Sequence, residues 1–279
     1  MKKIITLSLS LFFFISIYSQ ADSVPEKTEG VSISPSSLRF SVKPGSTLSK
    51  EVKITNDTKG SYKFQIGFSD FTMDKNGKPG GIKASESKYT LSKWVTVSPS
   101  YFELKPGEVK KLTVTIDIPN NDTANIAAWT IMMVDQIVDR TTPLDPKDKS
   151  KNTLAMGIAP SFGFGVYIYQ NPPNVKVNSV EIQNFKYTDE SGKKNITMYV
   201  KNSGDGIGFC LSYVELTNLK TGKQEKLATK QYTILPGFFR DFQYPLPNNI
   251  AKGKYSAVGV LDFGSKTQIE TAELEFDVQ

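Results

Sequence analysis

The chain has no histidine, and only one of its 279 residues, Cys210, is a cysteine. The first absence removes the commonest general base, the usual partner of a catalytic serine or cysteine, and the commonest zinc ligand. The second excludes an intrachain disulfide, so apolar burial must hold the fold together. After the N-terminus no segment approaches the roughly 20 apolar residues of a membrane helix, and no integral membrane segment is expected. The charge excess is small too. Removing Lys2 and Lys3 takes the formal charge from +6 to +4, spread among interspersed acids and bases, which is no footprint for nucleic acid. A convincing helical period is also missing.

What is there begins with Met1-Lys2-Lys3 and the apolar run Ile4–Tyr18, the pattern of a secretory signal peptide with cleavage near Ser19-Gln20. No cysteine follows that could take a lipid, so a soluble exported chain is expected. Residues 1–20 are read as the signal and 21–30 as a polar, disordered leader.

From Val31 onward apolar and polar residues alternate with a period of two, broken by Gly, Pro and Asn turns every 8–12 residues. Asn76-Gly77 suits a type I′ hairpin turn, in which both central residues have positive φ. The phrase Ser34-Pro35-Ser36 leading to Lys43-Pro44-Gly45 returns as Ser98-Pro99-Ser100 leading to Lys105-Pro106-Gly107. Both read as edge strand, Pro-Gly turn, long central strand. Asn125–Val134 has a helix-like composition, but its β-branched and aromatic residues favour a strand. The fold class expected is all-β: two immunoglobulin-like β-sandwich domains in tandem, 31–171 and 172–279.

Few residues suggest chemistry. Asp74, Asn76 and Gly77 resemble the start of a calcium loop, but the acid at its twelfth position is missing, and a turn is the simpler reading. The acids among Asp135, Asp139, Asp145 and Asp148 lie beside Arg140, Lys147 and Lys149 as solvated charge. No pair of acids is marked out for glycoside hydrolysis. Cys210 reads as a small buried hydrophobe. Trp94 and Trp129 either fill the space between sheets or line a ligand groove. No catalytic residue, metal site or cofactor is expected.

The centre of the chain is a nearly uncharged run, Thr153–Pro173. Leu154, Met156 and Ile158, then Phe162, Phe164, Val166 and Ile168, alternate with smaller residues. Two readings stand side by side. If the first three lie outward on an edge strand, they offer backbone groups and an apolar row to a partner strand. Otherwise they face the first domain's own core.

Several stretches taken together resemble the periplasmic pilus-chaperone (PapD-like) superfamily. They are Val31–Leu38, Pro44-Gly45 to Asn56, Phe102–Glu108, Asn152–Ala159 leading to Val166–Pro173, Lys201–Gly204 and Leu235–Arg240. The resemblance spans about Val31 to Val278 and implies two immunoglobulin-like domains joined at an angle. It implies that Leu154, Met156, Ile158 and Phe162 form a donor strand for a partner. In that superfamily a cleft Arg and Lys hold the partner's terminal carboxylate. The matching positions here are Ser37, with Arg39 two residues on, and Tyr167, so Arg39 and Tyr167 are the cleft candidates. Leu91–Glu108 also resembles surface proteins that bind WxL-domain partners. Tyr18-Ser19-Gln20 and the triplet Asp122-Thr123-Ala124 are similar to secretion and O-glycosylation signals of the Bacteroidetes. The expectation is a non-enzymatic, chaperone-like protein of the periplasm or cell surface, whose partner is an exported protein or pilus-like subunit. A surface or envelope module binding polysaccharide or a partner protein is the alternative.

Overall fold

The computed structural model describes residues 29–83, 86–138, 160–175, 179–265 and 267–279. The expected signal peptide, most of the leader, and Leu154, Met156 and Ile158 lie outside these residues. Alternation produces strands almost everywhere else. Val31–Ser34 (β1), Ser37–Phe40 (β2), Thr47–Asn56 (β3) and Tyr62–Ser69 (β4) come first. Next are Phe71–Met73 (β5), Pro79–Gly81 (β6), Val95–Ser98 (β7), Tyr101–Leu104 (β8), Val109–Asp117 (β9), Ala128–Ile137 (β10) and Gly163–Gln170 (β11).

These strands make one sheet in the order β1-β3-β9-β7 and a second in the order β2-β11-β10-β4-β8, with β5 and β6 as a separate hairpin. The echoed Ser-Pro phrases do the same job at opposite sides of the sandwich. After Ser34-Pro35 the chain leaves the edge of the first sheet for the edge of the second, and after Ser98-Pro99 it does so again; both peptides are cis. Val52, Ile54, Leu112, Val114 and Ile116 meet Phe64, Leu104, Met132, Val134, Val166 and Ile168 between the sheets, all fully buried. Each contributes on the order of 1.5–3 kcal/mol relative to exposure, which is why the period of two is kept so strictly.

The second half repeats the construction with Val180–Glu190 (β12), Lys193–Asn202 (β13), Gly208–Asn218 (β14), Gln224–Lys226 (β15), Lys230–Ile234 (β16), Phe239–Pro245 (β17), Gly253–Asp262 (β18) and Glu270–Val278 (β19). One sheet runs β12-β13-β17; the other runs β15-β14-β18-β19, with β16 also on β14. Ser191 and Gly192, both at positive φ, make the tight turn between β12 and β13. The core joins Ile196, Met198, Val200 and Phe242 to Val214, Ala257 and Leu261. Cys210 is buried there, and burial pushes its thiol up to about 12, so it packs as a small apolar side chain. Tyr244 donates to Ser212 Oγ at 2.8 Å, which donates in turn to the Val260 carbonyl, so the buried phenol is satisfied.

Three expectations are revised or settled here. The Asn76-Gly77 turn is not type I′, because only Gly77 has positive φ. The Asp74 carboxylate accepts from the backbone N–H of Asn76 and of Lys78, and that bond pattern selects a turn centred on Lys75-Asn76. Trp129 is buried, but on the outer face of its sheet rather than between the sheets: it is 2% exposed, stacks on Tyr89 and donates its indole N–H to the Phe71 carbonyl at 2.7 Å. The helix-like stretch at 125–134 is strand β10 from Ala128, preceded by a short 3-10 turn, Asp122–Asn125.

The sandwiches are pressed together by a third apolar cluster. Phe71, Trp129, Ile131 and Tyr169 cover the outer face of the five-stranded sheet and meet Ile207 and Leu235 of the second half. Asn171 fixes the junction with a pair of bonds, donating to the Ile207 carbonyl and accepting from its N–H. The β5–β6 hairpin adds a further contact, since the Lys75 carbonyl accepts from Asp241 N–H and the Lys75 ammonium lies 3.7 Å from the Asp241 carboxylate. Gly77 suits that tip because its φ of 81° lies in the left-handed region that other residues rarely adopt.

Candidate functional site

The site predicted from the central run divides into a strand edge and a cleft. Strand β2 lies parallel to β11 and covers only Tyr167–Gln170, with Tyr167 N–H bonded to the Ser36 carbonyl and Asn171 N–H to the Phe40 carbonyl. Among the described residues, no strand pairs with Gly163–Val166 on that side. Odd-numbered amides of β11 turn toward β2, whereas the Phe162 carbonyl accepts from Gln136 of β10. Alternation therefore aims the N–H and C=O of Gly163 and Gly165 at the uncovered edge. Both glycines are exposed, and the stretch Gly-Phe-Gly-Val carries no charge, proline or bulge.

The edges of the second half are guarded. β19 bears Glu270, Glu273, Glu275 and Asp277, β12 has a bulge between Ile182 and Asn184, and β15 is three residues long. β17 is capped at Asp241 by the Lys75 carbonyl. These are the ordinary means by which proteins prevent strands from adding to a sheet, and the first half of β11 uses none of them.

At the start of that edge Phe162 is 38% exposed. Its ring packs edge-on against Tyr62, Phe64 and Phe164, with centroids 5.3, 5.9 and 5.7 Å away. Phe162, Phe164, Val166 and Ile168 thus share one face, graded from partly open at Phe162 to fully closed at Val166 and Ile168. The predicted Phe162 is described, while its companions Leu154, Met156 and Ile158 are not.

The cleft candidates lie on the opposite, odd-numbered face. The register places Ser37 directly beside Tyr167 and Arg39 beside Tyr169. So the two positions matched to carboxylate anchors are true neighbours, and neither is a cation. Arg39, one pair further along, lays its guanidinium 3.9 Å from the centre of the Phe209 ring. Tyr167 stacks on Tyr169 at 6.0 Å and meets Phe71 edge-on at 5.5 Å. Burial pushes the Tyr169 phenol up to about 12, while a hydrogen bond with Thr233 and the Arg39 charge pull the other way. The result is an aromatic wall with one cation set into it. A cation over a ring keeps its in-plane N–H groups available to an acceptor.

Sequence reasoning missed Gly163, Gly165 and Asn171. The glycines were legible only as helix breakers, although two glycines alternating with Phe164 in an uncharged run already mark a side-chain-free face. Asn171 carried no local signal, because its partner Ile207 is far away in the chain.

No family model matches the chain, and no curated protein matches it. Among solved structures it is similar to a chain of the chaperone–tip adhesin complex of CFA/I fimbriae biogenesis, at 15% identity and a TM-score of 0.44 over 89% of this chain and 98% of that one. It is similar to the class 5 fimbriae chaperone CfaA at 15% identity and a TM-score of 0.42, over 88% and 98% of the two chains. The chaperone DraB of E. coli is matched at 15% identity and a TM-score of 0.40, again over 88% and 98%. Likeness at this level is distant, and the two sandwiches stand on the strand registers above.

Proposed function

We propose that the chain is an exported, non-enzymatic protein-binding protein that acts in a chaperone-like way in the periplasm, lending strand β11 to an exported partner or pilus-like subunit. The uncovered, uncharged edge Gly163–Val166 is the observation that carries this reading. An added strand would gain main-chain hydrogen bonds from Gly163 and Gly165, and Phe162 would supply an apolar contact beside them. Leu154, Met156 and Ile158 continue the alternation of Phe162 in sequence and are proposed as the side chains that enter the partner's core. Arg39 and Tyr167 are proposed to meet the end of the partner chain, Arg39 supplying the charge. Residue 172 is taken as the start of the second domain.

The reading is tested by affinity capture from the native envelope fraction, with hydrogen exchange on the captured complex. Slowed exchange at the Gly163 and Gly165 amides, together with loss of capture in folded Met156→Asp and Phe162→Asp variants, is the expected result. Capture that persists in both variants, with those amides still exchanging freely, overturns it.

A further inference from the structure

Away from the β11 edge, the first sandwich carries an open cavity of about 560 Å³ between the loop preceding β7 and the turn preceding β10. Its wall is the half-buried Trp94, which packs against the core on one side and lines the cavity on the other. That ring is held firmly. It ends the short 3-10 turn Ser92–Trp94, in which Trp94 N–H bonds to the Leu91 carbonyl. The buried Asp70 carboxylate also accepts from Ser92 N–H at 3.2 Å and from its hydroxyl at 2.7 Å.

The cavity is also lined by Ser87, Thr90, Asp122 and Thr123, which bring hydroxyl groups and a carboxylate to the same space as the ring. Thr123 is itself set by Asn121, which accepts from its N–H and its hydroxyl. Lys88 and Lys93 stand at the rim, both exposed. Among the described residues, neither lysine forms an ion pair with Asp122.

We propose that this cavity binds a short acidic saccharide. The C–H face of a sugar ring lies on the Trp94 indole, whose electron-rich face favours it. The sugar hydroxyls bond to Ser87, Thr123 and Asp122, and the sugar carboxylate faces Lys88 and Lys93. The volume falls within the range of small-ligand sites, as does the mix of an aromatic wall with a few polar groups. A purely apolar ligand fits poorly, because it would desolvate rim charges without pairing them. A nucleotide phosphate would meet the same two lysines, so AMP is the competing probe in the test below. None of the lining residues belongs to β2 or β11, so the site stands apart from the strand-lending reading.

The chain's two tryptophans make the test direct. Fluorescence of the purified protein is titrated with trigalacturonate, with neutral maltotriose and with AMP. Saturable change with trigalacturonate, retained in Trp129→Phe and lost in Trp94→Phe, is expected. Because Trp94 also supports the core, a second variant carries the charge argument. Lys88→Gln/Lys93→Gln, both at exposed positions, should weaken trigalacturonate about tenfold by calorimetry and leave maltotriose unchanged. The proposal is overturned if trigalacturonate shows no saturable binding at millimolar concentration, if the double variant binds it as well as the parent, or if AMP binds more tightly.

Discussion

Asn56 in the first sandwich and Asn202 in the second occupy equivalent places. Each ends a central strand, and each is fully buried. The Asn56 amide donates to the carbonyls of Gly60 and Leu104 at 2.7 and 3.2 Å, and the Asn202 amide donates to those of Gly206 and Ile234 at 2.8 and 2.9 Å. Their own carbonyls accept, both at 2.8 Å, from Gly107 and Gly237, the positive-φ residues of the two Pro-Gly turns. So the motifs Thr55-Asn56 with Lys105-Pro106-Gly107, and Lys201-Asn202 with Leu235-Pro236-Gly237, form the same clamp twice. The edges differ. The second sandwich screens its outer strands with acids, a bulge and a capping carbonyl, whereas among the described residues nothing covers the first half of β11. Since the closure is shared, the bare edge cannot be a by-product of how such a sandwich is built.

The largest effect expected is from breaking the clamps. Asn56→Ala and Asn202→Ala each remove the two side-chain amide bonds to carbonyls and the bond the side-chain oxygen accepts from the N–H of Thr58 or Gly204, while the backbone bond to the Pro-Gly turn remains, at a cost of about 2–4 kcal/mol. Urea denaturation should give similar losses for the two. A loss below about 1 kcal/mol for one of them would show that the clamps are equivalent in geometry only.

Strong alkali distinguishes the halves by their buried phenols, Tyr169 at the junction and Tyr244 in the second core, both pushed up to about 12 by burial. An unfolded tyrosine ionises near pH 10, so between about pH 10 and 12 the unfolded chain has lost protons that the folded chain retains, and stability must fall as pH rises. The stabilisation is complete below pH 10, and each phenol accounts for about 2 kcal/mol of the decline. Tyr169→Phe and Tyr244→Phe should each flatten the stability curve over this window. Because Tyr244→Phe also removes the bond to Ser212, it should lower stability at neutral pH as well. An unchanged alkaline slope in both variants would contradict the burial argument.

A smaller change is expected at the junction. Asn171→Ala removes the paired bonds to Ile207, at a cost of about 1–2 kcal/mol, and should speed exchange of the Ile207 amide while exchange at Ile196 and Val214 in the second core holds steady. Equal acceleration at all three amides would mean that Asn171 supports the second sandwich as a whole.

How far the sequence could be read follows from the same residues. Alternation was decisive wherever one face is buried and the other wet, as in β9 or β18. It blurred in Ala128–Val134, where nearly every residue is buried, since one face of β10 packs in the sandwich and the other against the second half. That double burial is what made the stretch look helical. Asn56 and Asn202 read as ordinary turn residues, because a buried amide with distant partners has no local signature. Ser37 and Tyr167 are paired in register, but the aromatic wall around Arg39 depends on Phe209, which only the docking of the two halves brings near.

The smallest stability effect, and the sharpest test of the contrast, comes from exchanging the character of the two kinds of edge. Gly165→Lys places a charge where β11 is bare. The new Cβ comes within 3.2 Å of a methyl group of Ile131, which must give by a few tenths of an ångström, and the position is exposed, so folding should change by about 1 kcal/mol at most. Partner capture should nevertheless be lost, because the edge now carries the kind of charge that guards β19. The converse variant, Glu273→Thr/Asp277→Thr, halves that guard while leaving Glu270 and the Lys254–Glu275 ion pair in place. It should keep its stability and begin to self-associate in sedimentation velocity. If the β19 variant stays monomeric while Gly165→Lys still captures its partner, edge charge does not govern association, and β11 must be recognised through its side chains alone.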